Sequence, residues 1–161
     1  MAYDVLEQNK ALVRRMLEAF NTGNSKIVRE VLHPQIKDHS RALGLEPTIR
    51  NSPVIQRVQT EIMREQEAFP DRKFTEVMMV AEGDRVVLRW ELTGTHKGRA
   101  FGREATGRTV KTFGTEFVRI QDGKIIEHDD DPFHVLDLLW QLGFLSGGAS
   151  VLDQPEFRGL K

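Results

Sequence analysis

The segment from Ile125 to Asp137, IIEHDDDPFHVLD, sets a histidine and three consecutive aspartates between an apolar strand-like run and a helix-like one. Side chains alternate along a strand, so Ile126, His128 and Asp130 share one face and Glu127, Asp129 and Asp131 the other. The three aspartates therefore have three different surroundings. Asp131 directly precedes Pro132 and reads as a helix cap followed by its first turn. Asp129 points outward, to solvent or to a basic partner. Asp130 shares its face with an apolar residue and an imidazole, and could look into a hollow. Desolvation and like charge both raise a carboxylate above its free value of ~3.9, towards the range of a base that removes a proton next to a carbonyl. Positioned acid–base groups of this kind contribute ~10²–10⁴-fold to a rate. Alternation alone leaves the other reading open, a solvated strand end.

His128 lies two residues from Asp130 on the same face, where it can orient the carboxyl, share its proton or simply hold structure. Trp90 lies on a face with Val86 and Leu88, as core or as a wall on which a flat substrate could stack. Phe113 admits the same two readings, while His96 and Arg89 read as structural or surface groups. His128, Asp130 and His134 form an H-x-D-x3-H spacing of metal-ligand types. His134 belongs to the following helix and the other two to the strand, so their convergence is not set and no metal site is assigned. Nucleophile-elbow, SxxK and P-loop signatures are absent, and no Gly-rich loop opens a helix after a strand, which argues against nucleotide binding.

The elements that must hold these residues change period once. Leu12, Val13, Met16, Leu17 and Phe20 recur at helical spacing behind a capping-box pattern at Asp4 and Glu7, up to Gly23. Ser25 opens a shorter helix with Ile27, Val28, Val31 and Leu32, closed by Pro34. Residues 40–52 are irregular; Ser52 and Pro53 then start a third helix with Val54, Val58 and Ile62, ending near Phe69. From Lys73 the period falls to two: KFTEVMMVA, RVVLRWELTGTH, TVKTFGTEFVRI and KIIEHDD read as strands, with EGD and QDG as tight turns and KGRAFGREATGR as a long loop joining two hairpins. A fourth helix follows Pro132, with Val135, Leu136, Leu139, Trp140 and Leu142 apolar. Helices first and antiparallel strands second predict an α+β fold, a curved sheet wrapped by helices on one face, with a natural hollow for a small molecule.

The 161 residues fit one domain with a real core. Lys+Arg 23 against Asp+Glu 24 leaves no basic excess to attract nucleic acid or an anionic membrane. The absence of cysteine excludes disulfides and thiolate chemistry and fits a reducing compartment. With no signal-peptide pattern and no apolar run near the ~20 residues that span a bilayer, the expectation is a cytoplasmic protein. The tail from residue 144 to 161 has little to bury and is expected to be mobile or docked on a neighbouring subunit.

NKALVRRMLEAFNTGNSKIVREVLHPQIKDHS, AFPD, AEGDRVVLRWELTGTHKG, ATGRTV and DGKIIEH, in this order and spacing, resemble the SnoaL-like polyketide cyclases. That family belongs to a wider NTF2-like group that includes ketosteroid isomerase and limonene epoxide hydrolase. The similarity covers roughly residues 8–143. It implies a cone-shaped NTF2-like α+β barrel, a homodimer or homotetramer, working on a small carbonyl-rich polycyclic substrate without metal or organic cofactor. It implies ring closure by intramolecular aldol condensation, with Asp130 as the acid/base group because it follows the GKIIEH segment. Where the cyclases use a histidine on the neighbouring strand, this chain has Glu116. His39 sits where family members commonly place a pocket-lining residue. Two facing carboxylates also suit water activation, as in related hydroxylases and epoxide hydrolases, and the scaffold also serves non-catalytic binding proteins.

Overall fold

The first helix buries a stripe of its surface against a sheet, and the rest of the architecture follows from that contact. In this computed structural model, residues 2–40, 51–131 and 133–145 are described. The elements run α1 (Ala2–Thr22), α2 (Ile27–Val31), β1 (Leu32–Asp38), α3 (Val54–Ala68), β2 (Lys73–Glu82), β3 (Arg85–Thr95), β4 (Thr109–Gln121), β5 (Lys124–Asp130) and α4 (Phe133–Gln141). The five strands form one sheet in the order β1-β5-β4-β3-β2. β2 to β5 is an antiparallel meander, and β1 joins it parallel to β5.

Helices cover one face of the sheet. Val13 and Ala19 of α1, Ile27, Val28 and Val31 of α2 and Ile62 of α3 pack on Val86, Leu88, Trp90 and Leu92 of β3, Val118 and Ile120 of β4 and Ile125 of β5. Each fully buried aliphatic side chain of this set contributes about 1.5–3 kcal/mol relative to exposure. A second cluster, Ala68, Phe69, Val110, Leu138 and Leu142, seals the end where α4 folds back. His96 is fully buried beside it, against Phe69 and Phe144, which agrees with its structural reading.

The strand boundaries follow the period-two segments closely, and the Asp122-Gly123 turn takes positive φ at both residues, as a two-residue hairpin twisted with its strands requires. Four details differ from expectation. α1 begins at Ala2, so Asp4 lies inside its first turn instead of ahead of it. α2 ends at Val31, and Leu32 to Asp38, including Pro34, form a strand. Proline lacks an N–H and suits only an edge strand, and the register with β5 slips between Leu32 and Lys37, around Pro34. α3 starts one residue late, with Pro53 as its cap. The loop after β3 joins two strands that are themselves paired, so it closes a third hairpin. The expectation for the tail concerns residues that, from 146 onward, lie outside those described.

Candidate active site

β5 delivers the central residues. His128 stands opposite Val118 of β4 and Asp38 of β1, and Asp130 stands opposite Glu116 of β4. Directly opposed residues share a face, so Asp38, Glu116, His128 and Asp130 all project to the helix-covered side. Trp90 reaches Glu116 diagonally from β3: its indole Nε1 donates to Glu116 Oε1 at 2.8 Å. This requires Gly114, because a Cβ there would come within 2.1 Å of the indole ring.

His128 is held at both nitrogens. Nδ1 meets Asp38 Oδ1 at 2.9 Å, and Nε2 makes a short contact with Glu116 Oε2. Asp38, whose side chain is only 4% exposed, is gripped on its other oxygen by Arg57 of α3 and accepts the Ser40 N–H at 3.0 Å. Burial alone would lower the imidazole pKa, but the hydrogen bonds and charges of Asp38 and Glu116 outweigh it and hold it up at about 10. Burial likewise works to raise both carboxyls, and their bonds to His128 override it, keeping Asp38 well below the usual carboxylate range and Glu116 below its ordinary value. At neutral pH this is an imidazolium clamped between two carboxylates, with both ring protons donated.

Asp130 is different. Its Oδ1 is shut off from solvent and, among the described residues, has no hydrogen-bond partner. Burial pushes its pKa up, the charge of Glu116 adds to this, and His128 and His134 oppose it. Its neighbours sort as alternation predicts: Asp129 is exposed, and Asp131 accepts the Phe133 N–H at 3.0 Å and caps α4. His134, the second residue of α4, hydrogen-bonds the Asp131 carbonyl through Nδ1 and meets the Trp90 ring edge-on at 5.1 Å. It closes the site from the helix side.

Of three expected substrate contacts, two lie on the outer face and the third is buried in the core. His39 is turned to the outer face, where its Nε2 meets Glu127 Oε1 at 2.9 Å beside Arg119. The inward residue of this pair is Asp38, because one step along a strand changes face. Phe113 also lies on the outer face, under Arg89 and Lys111, three residues and therefore one face away from Glu116. Trp90 faces inward but is 4% exposed, so it supports Glu116 from within the core.

Sequence reasoning found α3 but missed its charged face. Arg57, Glu61 and Glu65 recur every four residues beside the apolar Val54, Val58 and Ile62, a charged stripe legible on a helical wheel. Although 42% of the Glu65 side chain is accessible, its Oε2 is buried, accepts no hydrogen bond among the described residues and lies 4.0 Å from Arg72 Nε; burial pushes this carboxyl up to about 7. A cavity of about 690 Å³ opens at the other end of the strands, among Leu6, Asn9, Leu12, Gly83 and Ile120, away from this chemistry.

A helix-covered, curved α+β sheet with an acid–base cluster at the end of its strands defines the NTF2-like class of small-molecule enzymes. Within that class, the family model described as SnoaL-like polyketide cyclase matches residues 10–141, and the chain belongs to this family. It is 34% identical over 122 residues to the aklanonic acid methyl ester cyclase DnrD of Streptomyces peucetius, covering 75% of this chain and 81% of that protein. Among solved structures, TsrD from Streptomyces laurentii superposes with a TM-score of 0.74 at 26% identity, over 86% of this chain and 97% of TsrD. AclR from Streptomyces galilaeus, a candidate hydroxylase, gives 0.72 at 26% identity, over 96% and 93%. The protein is therefore an enzyme of the SnoaL-like cyclase type. Among the described residues, no helix is long and apolar enough to cross a membrane.

Proposed function

We propose that the protein closes a ring in an aromatic polyketide methyl ester by cofactor-free intramolecular aldol condensation, with Asp130 as the base. The observation that carries this reading is the buried, unpartnered Asp130 Oδ1 beside a charge-compensated cluster. Both oxygens of Asp38 and both of Glu116 are committed to donors, whereas the uncommitted Asp130 oxygen is available to a substrate proton. An acidic carbon flanked by carbonyls needs a base of raised pKa, close placement and little water. The fixed imidazolium of His128 adds positive charge where an enolate would form. His128 and Glu116 thus act as a pair: Glu116 holds the imidazolium and raises Asp130, and neither is free to take a proton itself.

Water activation by Asp130 and Glu116 fits less well, because both Glu116 oxygens already accept bonds, from Trp90 and His128. Asp130→Asn, assayed with aklanonic acid methyl ester, should lower kcat by about 10²–10⁴-fold with KM nearly unchanged. Near-normal turnover, or product oxygen derived from labelled water, refutes the reading.

The enzyme further works as a homo-oligomer through its outer sheet face. Val80, Val87 and Phe117 line up across three strands there, with Met78 in the next row and Phe113 beyond it. Met78 is 56%, Val80 50% and Phe117 49% exposed, a contiguous apolar surface of the kind that marks an interface.

A further inference from the structure

An aldol step needs an acid as well as a base, and the residues assigned so far supply only the base. The oxygen of the carbonyl under attack must gain a proton as the carbon–carbon bond forms. His128 is clamped by two carboxylates, and the Trp90 N–H is spent on Glu116. α3 offers a candidate. Its stripe of Arg57, Glu61 and Glu65 spans two helical turns. Arg57 is tied to Asp38, and Glu65 approaches Arg72. Between them Glu61 is half-buried and, among the described residues, makes no hydrogen bond or ion pair. One turn before it on the same helix face, Arg57 reaches Asp38 of β1, which in turn holds His128 of β5; the charges that act on Glu61 are those of Glu65, Arg57, Asp38 and His128. Asp130 feels the same Asp38 and His128. Helix and sheet thus each bring one carboxyl to the Arg57–Asp38–His128 chain: Glu61 one turn along α3 from Arg57, and Asp130 two residues along β5 from His128.

We propose that Glu61 is the second catalytic residue of this site, donating its proton to the carbonyl oxygen under attack while Asp130 removes the proton from the attacking carbon. The inference rests on the aldol reading above. The step balances within the site. Asp130 takes the C–H proton, the carbon's electron pair forms the new C–C bond, and the carbonyl π pair moves to oxygen, which takes the Glu61 proton. Proton return from Asp130 to Glu61 through solvent resets both carboxyls, so no oxidant or further reactant is needed. The electrostatics support the assignment: burial pushes Glu61 up to about 7, Glu65 adds to this, Arg57 opposes it, Asp38 adds and His128 opposes. Around neutrality a substantial fraction of Glu61 therefore carries a proton to give.

The test compares wild type, Glu61→Gln, Glu61→Leu and Asp130→Asn with aklanonic acid methyl ester over pH 5–9. An unpartnered half-buried carboxyl disfavours folding, so Glu61→Leu should melt at or above the wild-type temperature while kcat falls about 10²-fold and KM changes little. Wild-type kcat should fall on the alkaline side as Glu61 loses its proton, and both Glu61 variants should lack that limb. Difference infrared spectra of the free protein give a readout independent of turnover: Glu61→Gln should delete one carboxylic C=O band that titrates near neutrality. Glu61 variants with near-normal kcat and an intact alkaline limb overturn the inference, as does an unchanged infrared titration. Turnover surviving in Asp130→Asn sinks the aldol reading itself, so the two failures are distinct.

Discussion

Asp38→Asn is the most informative perturbation, because it keeps the shape of the His128 clamp while removing one of its charges. The imidazole pKa rises from 6.5 to about 10 in the folded protein, and at ~1.36 kcal/mol per pK unit that corresponds to ~5 kcal/mol of favourable interaction. Asp38 and Glu116 share it, so roughly half, about 2–3 kcal/mol, should be lost with Asp38, in line with the ~3–5 kcal/mol that breaking one buried ion pair costs. The pH dependence gives the sign. His128 has a folded pKa above its unfolded one, so its contribution is full below about 6.5 and is lost as pH rises through about 10. Asp38 has a folded pKa below its unfolded 3.8, so its contribution is present above that value and lost as pH falls beneath it. Both describe the same pairing, seen from opposite ends. The stability gap between wild type and Asp38→Asn should therefore be widest from about pH 4.5 to 6.5, shrink in acid and shrink again in alkali. Urea unfolding followed by tryptophan fluorescence from pH 3 to 10 measures it. A gap that stays constant across this range, or remains under about 1 kcal/mol at pH 6, would refute the clamp.

Gly114→Ala puts a methyl group into the Trp90 ring. It should destabilise by about 1–3 kcal/mol or more as overpacking does, and tryptophan emission should shift as the indole leaves Glu116; a melting temperature within 1–2 °C of wild type would contradict this geometry. Phe117→Asp on the outer face should convert the oligomer to a folded monomer in light scattering; an unchanged mass, or a wild-type protein already monomeric at ~10 µM, removes that face as the interface.

The parts of this protein that could be read in one dimension are those set by local periodicity. β2 to β5 and their turns followed from period-two patterns and the EGD and QDG signals. The same alternation separated Asp129, Asp130 and Asp131 into an exposed group, an inward group and a cap. It also carried information that was not used: residues 113 and 116 differ by an odd step, so Phe113 and Glu116 could not both face the site. β1 was hidden by Pro34, which reads as a stop signal unless the strand is known to lie at an edge. Without that strand the faces of residues 38 and 39 are undefined, so the sequence does not separate the inward Asp38 from the outward His39.

The chain by itself determined the α+β order, the family and the carboxylate at the end of the last strand, because each is written in spacing a few residues long. Tertiary structure decided what that carboxylate has for company. Asp38, Arg57, Glu61, Trp90 and Glu116 come from four elements far apart in sequence, and only sheet register and helix packing bring them to His128 and Asp130. Whether a histidine is a base or a fixed cation depends on which charges stand within a few ångströms of it, and pairwise distances of that kind exist only in the folded chain.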